Sequence, residues 1–307
     1  MTRIGTSDLD VFPLNLGGNV FGWTADRDSS FAILDAFAAG GGDFIDTSDS
    51  YVSAAADGPG ISETIIGEWL AARGNRDRIV IATKVSRHPD FLGLAPATIR
   101  AAADASLKRL QVDAIDLYYA HYDDPDVPVA DFVGALSELV DAGKVRYIAP
   151  SNFTAERVDE WFAVTEANGL HRAVALQPHY NLVERSYETD GLRAVAEKYQ
   201  LGVMPYFALA RGFLTGKYRP GVFVDSARAG GASAYLDDPA AVTKLAALDE
   251  VAAARGASVA TVALAWLRAQ PTITAPIASA SRVEQLPDLL ASATLELAAD
   301  ELAALGA

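Results

Sequence analysis

Residues 44–51 read F-I-D-T-S-D-S-Y, an apolar start that runs into an aspartate and then a polar turn ending in a tyrosine. Two later segments repeat the form. I-V-I-A-T-K-V (79–85) carries Lys84 near its end, and I-D-L-Y-Y-A-H (115–121) closes on His121. A short apolar run ended by a polar, ionisable residue is what a parallel α/β barrel shows where its strands meet a pocket. On that reading Asp46, Tyr51, Lys84 and His121 converge at one end of one sheet.

Outward from these segments, strand-like runs alternate with stretches of helical spacing, and the alternation reaches eight. Strands are predicted at Leu14–Gly17, Phe44–Thr47, Ile79–Thr83, Ile115–His121, Val145–Ala149, Ala173–Gln177, Gly202–Tyr206 and Ile273–Ile277. Helices are predicted at Ser29–Ala39, Ser62–Arg73, Pro96–Leu110, Val129–Ala142, Ala155–Asn168, Tyr187–Tyr199, Pro239–Ala269 with a break at Gly256, and Ser281–Leu290. A tail helix is expected over Leu295–Leu305, and Arg3–Gly17 opens the chain with a hairpin turning at Thr6-Ser7-Asp8. No composition shift marks a linker. The expectation is an α/β fold, a (β/α)8 TIM barrel forming one domain over residues 1–307, with an N-terminal hairpin and a long loop after the seventh strand. That loop, Ala208–Asp238, is the longest segment without periodicity, and its length implies a function.

Composition narrows the class. Half of the 307 residues are hydrophobic and 21% are charged, enough apolar material for a large core. The net charge of −15 disfavours attraction to nucleic acid or anionic lipid. Cysteine is absent, which excludes disulfides and thiolate catalysis. No apolar run reaches membrane-spanning length and the N-terminus lacks a signal-like apolar region, so a cytoplasmic protein with no membrane partner is expected. No metal site is read.

A phenol beside an ammonium forms a candidate proton donor. The positive charge favours phenolate, so Lys84 is expected to pull Tyr51 below its free pKa of about 10, while Asp46 keeps the lysine charged. His121, if neutral, would hydrogen-bond a carbonyl oxygen and orient it. Reduction of a carbonyl needs such an acid, and it needs a hydride that no side chain supplies. The stretch G-G-N-V-F-G (17–22) is not the G-x-G-x-x-G dinucleotide fingerprint, and no G-x-x-x-x-G-K-[ST] occurs, so a Rossmann site is disfavoured.

The order and local sequence of Asp46, Tyr51, Lys84 and His121 resemble the catalytic set of the aldo-keto reductase superfamily, over nearly the whole chain. The resemblance implies reduction of an aldehyde or ketone with NADPH, NAD being an alternative. It matches Ser151 and Asn152 in A-P-S-N-F and Gln177 in A-L-Q-P-H-Y-N to the residues that hold the nicotinamide amide, and Tyr206 to the stacking aromatic. It aligns V-M-P-Y-F-A-L-A-R-G-F-L-T-G-K-Y-R with the pyrophosphate loop, which implicates Phe207, Leu209, Arg211, Gly212 and Lys217. Phe207 stands where the family usually has a small residue. The adenosine end falls on P-I-A-S-A-S-R-V-E-Q-L, implicating Ser279, Ser281, Arg282 and Gln285; many relatives have Lys-Ser and a later Arg there, and Arg282 is the cation this chain offers.

For substrate, Phe21 and Trp23 join Tyr51 and His121 as candidates, with Tyr122, the acidic D-D-P-D after His121 and the 222–236 loop also near the expected mouth. A small-molecule carbonyl is the expected partner. Two rival readings use the same site: an alcohol or sugar dehydrogenase running in reverse, and a cofactor-binding regulatory subunit, since the resemblance extends to potassium-channel β subunits.

Overall fold

The computed structural model describes residues 1–52, 58–227 and 229–306. Arg228, inside the 222–236 loop, lies outside the described residues. Eight parallel strands follow the chain: β1 (Asn15–Gly17), β2 (Phe44–Asp46), β3 (Val80–Val85), β4 (Ile115–Ala120), β5 (Val145–Pro150), β6 (Ala175–Leu176), β7 (Gly202–Val203) and β8 (Ile277–Ala278). Six of the joins are regular ladders: five run from β8–β1 round to β4–β5, with Ile277 opposite Asn15 closing the ring, and the sixth pairs β6 with β7, Ala175 opposite Gly202. The rest of the ring is thinner. Single bridges Ile148–Ala173 and Ser151–Gln177 link β5 to β6, and Val203–Ile273 links β7 to the approach of β8. Pro178, Pro205 and Pro276 at these strand ends carry no N–H for a ladder, although the Pro205 and Pro276 carbonyls still accept from Ile277 N and Asn15 N at 2.9 Å. The (β/α)8 barrel is therefore present.

Side chains alternate across each strand, and one alternate set fills the barrel. Phe44, Ala82, Leu117, Tyr119, Ala149 and Met204 pack together inside it. Ile4, Leu9 and Val11 join that interior cluster from the opening hairpin, whose strands pair Thr2 with Val11 and Arg3 with Asp10. Gly5 sits so close that a Cβ there would lie 2.2 Å from the Val174 carbonyl oxygen, so the hairpin caps the amino end of the barrel. The other alternate set, such as Ile45, Ile81, Tyr118 and Ile148, packs against the surrounding helices.

Several boundaries differ from the sequence reading, each for a local reason. The stretch 187–199 is not one helix: a 3-10 turn at Ser186–Glu188 precedes a helix at Leu192–Tyr199, separated by Gly191 at φ 91°. Residues 281–290 likewise split into a 3-10 turn at Val283–Gln285 and a short helix at Leu286–Ala291, whose first turn holds Pro287. The tail helix starts later, at Ala299, where Glu301 caps the Ala298 N–H at 2.7 Å. The eighth strand also pairs later than expected, Ile273 contributing only a bridge. The break at Gly256 is as expected: Pro239–Arg255 ends there at φ 60° and Val259–Arg268 restarts behind a Ser258 cap, bent by 101°. The long loop after β7 contains a 3-10 segment at Ala210–Thr215, a helix at Ala229–Ser233 and a further turn at Ala234–Asp237. Among the described residues no single helix is long and apolar enough to cross a membrane.

Candidate active site

The alternation that fills the barrel also builds the site. Counting two residues on from each interior residue gives Asp46 from Phe44, Lys84 from Ala82, His121 from Tyr119, Ser151 from Ala149, Gln177 from Ala175, Tyr206 from Met204 and Ser279 from Ile277. Each is the next inward-facing position where its strand leaves the packed core. β1 follows the same count from Asn15 to Gly17, where a Cβ would lie 2.5 Å from the Ser279 hydroxyl, so glycine keeps that part of the rim open.

Asp46 and Lys84 are buried and paired at 2.6 Å. Lys84 Nζ also donates to the Thr47 carbonyl at 2.7 Å and to the Tyr51 phenol oxygen at 3.0 Å, which uses its three protons. The phenol donates to Asp46 Oδ2 at 3.2 Å, and Gln177 Nε2 donates to Asp46 Oδ1 at 2.9 Å. Burial and the Asp46 carboxylate hold the Tyr51 phenol well above its usual pKa. This overturns the expected lowering: Asp46 stands nearer to the ammonium than the phenol does and offsets its field, and it accepts from the neutral phenol. Burial lowers Lys84 against the opposing pull of Asp46, Asp49 and Glu63. Burial, then Lys84 and Arg87, keep His121 well below the ordinary histidine pKa, so its ring is neutral. The Tyr51 and His121 rings meet edge to face, with centroids 6.2 Å apart.

Behind them runs a second network. Asn152, at φ 58°, donates to the His121 carbonyl at 2.9 Å and to Ser151 Oγ at 3.1 Å, while Ser151 donates to the Gln177 carbonyl at 2.9 Å. Tyr206 donates to Asn152 Oδ1 at 2.7 Å and stacks on His179 with centroids 5.2 Å apart. Tyr206 is thereby fixed in orientation from one face and from its hydroxyl.

These groups open into a cleft of ≈ 740 Å³ at the carboxyl ends of the strands. Asp46, Tyr51, His121, Asn152, Gln177 and Tyr206 line its inner end. Phe207, Leu209, Arg211, Gly212 and Lys217 line one wall, and Ser279, Ser281, Arg282 and Gln285 the far end. Lys84 and Ser151 are buried behind the lining. Gln285 Oε1 accepts from the Ser281 N–H at 2.8 Å, which fixes the turn carrying Arg282. Phe207, Ala210, Arg211 and Gly212 all have positive φ, a run of left-handed backbone that folds the loop back along the cleft. Four cations line this cleft, Arg87, Arg211, Lys217 and Arg282, and among the described residues none sits in a salt bridge; Arg87, Arg211 and Lys217 lie over the Tyr122, Phe207 and Tyr218 rings at 4.7, 4.6 and 4.9 Å.

Of the substrate candidates, Phe21 is wholly buried in the core and Trp23 is half exposed, while Val20 and Thr24 of the same segment line the cleft. Tyr122 does line it. Sequence reading missed Asn19, Ser50, Arg87 and His179, all in the lining. The signal for His179 was available, since it follows Gln177 by one strand period.

The aldo/keto reductase family model matches residues 13–307. The chain belongs to the aldo/keto reductase family. It is 34% identical to the protein tas of Escherichia coli (strain K12), over 98% of this chain and 95% of that protein. It is 34% identical to the uncharacterized oxidoreductase YrpG of Bacillus subtilis (strain 168), over 96% of this chain and 91% of that protein. It is 30% identical to norsolorinic acid reductase B of Aspergillus parasiticus, over 97% of this chain and 81% of that protein. Members of this family are oxidoreductases, and the barrel described above is its fold.

Proposed function

We propose that this aldo/keto reductase family member reduces the carbonyl of a small-molecule aldehyde or ketone with NADPH, Tyr51 giving the proton. The observation that carries the reading is the Tyr51 phenol, bonded to Lys84 at 3.0 Å and to Asp46 at 3.2 Å where it faces the cleft. A relative named as a reductase, norsolorinic acid reductase B, supports the reductive direction.

The donor set suits a dinucleotide. In a chain of net charge −15, four cations along one cleft, without an ion pair among the described residues, favour a polyanion, and Tyr206 offers an oriented ring beside the Asn152 and Gln177 amides. Tyr206, Asn152 and Gln177 would hold the nicotinamide end, and Arg211, Lys217 and Arg282 the phosphates. NADPH, when bound, supplies the hydride. The protein does the rest. His121, neutral, orients the substrate oxygen by a hydrogen bond, and Tyr51 transfers its proton to that oxygen as negative charge builds there. A high phenol pKa serves this step: the proton stays on Tyr51 until an alkoxide, a far stronger base, takes it. The phenolate left behind sits against the Lys84 ammonium, which Asp46 holds in place.

The test is Tyr51→Phe, assayed with NADPH and a panel of aldehydes and ketones. Turnover should fall by at least about 10²-fold, the scale of lost general acid catalysis, with NADPH affinity nearly unchanged. Near-native turnover of a good substrate by the variant rejects the role.

A further inference from the structure

One buried ionisable group at this rim has no part in the chemistry above. Asp49 lies in the turn between β2 and Tyr51, wholly buried, its N–H directed to the Lys84 carbonyl at 3.4 Å. Its Oδ1 is 3.2 Å from the Ser48 hydroxyl, and its Oδ2 has no hydrogen-bond partner among the described residues. The same hydroxyl lies 3.3 Å from His121 Nδ1 and 3.0 Å from Ser50 Oγ. Carboxyl, hydroxyl and imidazole thus form a line that ends on the ring facing the substrate.

A serine hydroxyl has a single proton to give and can accept in return, so the line has two consistent arrangements. A protonated Asp49 donates to Ser48, Ser48 donates to Nδ1, and the neutral ring carries its proton on Nε2. An ionised Asp49 instead accepts from Ser48, Ser48 accepts from Nδ1–H, and Nε2 is left bare. Only the first arrangement gives His121 an N–H to offer a carbonyl oxygen in the cleft.

We propose that Asp49, acting through Ser48, selects the tautomer of His121 and so sets whether His121 donates a hydrogen bond to the substrate. Asp49 is a positioning residue in this scheme, and the scheme rests on the carbonyl-reductase reading for its catalytic consequence. The charges around Asp49 put the switch within reach of ordinary pH. Burial and the carboxylate of Glu63 raise it, the Ser48 bond, Arg109 and Lys84 lower it, and the balance lifts it to about 7. Glu63 is itself held by Arg109 at 2.6 Å and Thr83 at 2.5 Å, and the buried Tyr118 phenol feels both carboxylates. On the other side, burial first and then the Lys84 and Arg87 charges that His121 faces keep its ring neutral, so its tautomer and not its charge is what changes.

The experiment is ¹⁵N NMR of the histidine rings in the full chain between pH 5.5 and 8.5, with His121 assigned by substitution, alongside NADPH-dependent turnover. His121 should pass from the Nε2–H to the Nδ1–H form around pH 7, and kcat should fall about 10-fold over the same range. Asp49→Asn, neutral throughout, and Ser48→Ala, which cuts the line while leaving Asp49 ionisable, should both abolish the pH-linked tautomer change. A wild-type tautomer that does not respond to pH overturns the proposal, as does an unaltered response in Ser48→Ala. If the tautomer switches while no carbonyl is turned over, the relay stands and the reductase reading falls.

Discussion

On the β2–β4 side of the rim, Asp46, Lys84 and Tyr51 are bonded to one another at 2.6–3.2 Å, and Asp46 and Lys84 are buried. On the β7–β8 side, Arg211, Lys217 and Arg282 are exposed and without ion pairs among the described residues. The first half is finished by its own side chains and the second is left for something anionic to complete. Charges already compensated in a dry pocket hold a fixed geometry, whereas exposed cations keep their rotamer freedom until a ligand arrives. Substitutions on the first side should therefore register in folding and turnover, and those on the second in cofactor affinity and its salt dependence.

The largest effect is expected at Lys84. Lys84→Met strands the Asp46 carboxylate in the core and should cost about 3–5 kcal/mol of stability, read by denaturant unfolding, together with most of the turnover. Adding Asp46→Asn should recover part of that stability. No recovery in the double variant would mean that packing of the lysine stem, and not the charge pair, holds this side together.

Next comes pH. Asp49 has its folded pKa raised from 3.8 to about 7, so the unfolded chain releases this proton first as pH rises. Its contribution therefore weakens the fold progressively between about pH 4 and pH 7, by about 2–4 kcal/mol in total, and is constant above that. Asp49→Asn should remove this slope, making the variant relatively more stable at pH 8 than at pH 4. Parallel stability curves for the two proteins would contradict the raised value.

On the open side, Arg282→Ala should lower affinity for NADPH by about 1.5–3 kcal/mol, leaving NADH and saturated turnover unaffected. Added salt should shrink the difference. A wild type that binds both cofactors equally would take Arg282 out of the site. Tyr206→Ala is expected to weaken cofactor binding by about 1–3 kcal/mol, the scale of aromatic stacking, whereas Tyr206→Phe keeps the ring and loses only the bond to Asn152. If the two variants bind cofactor alike, the hydroxyl, not the ring face, is what matters.

The sequence by itself determined the barrel, the order of its strands and which residues end most of those strands. Strand alternation is a local, period-two property, so Phe44 facing inward obliges Asp46 to do so, and the same count reaches Lys84, His121, Gln177 and Tyr206. Caps and breaks carried by a single residue were legible too, as at Gly256. Where a short-range bond or a left-handed residue competed with helical spacing, at Gly191 and around Ser281–Gln285, spacing misled. Only the tertiary structure decided what the convergent groups do to one another. It buried Phe21, left Trp23 half exposed, and buried Tyr51 beside Asp46, which sits 2.6 Å from Lys84, so that burial first and the Asp46 carboxylate second keep the phenol protonated. It also brought Asp49, through Ser48, to His121, which lies 73 residues beyond that serine. Such effects depend on exclusion of water and on distances across strands, and no spacing along a chain encodes either.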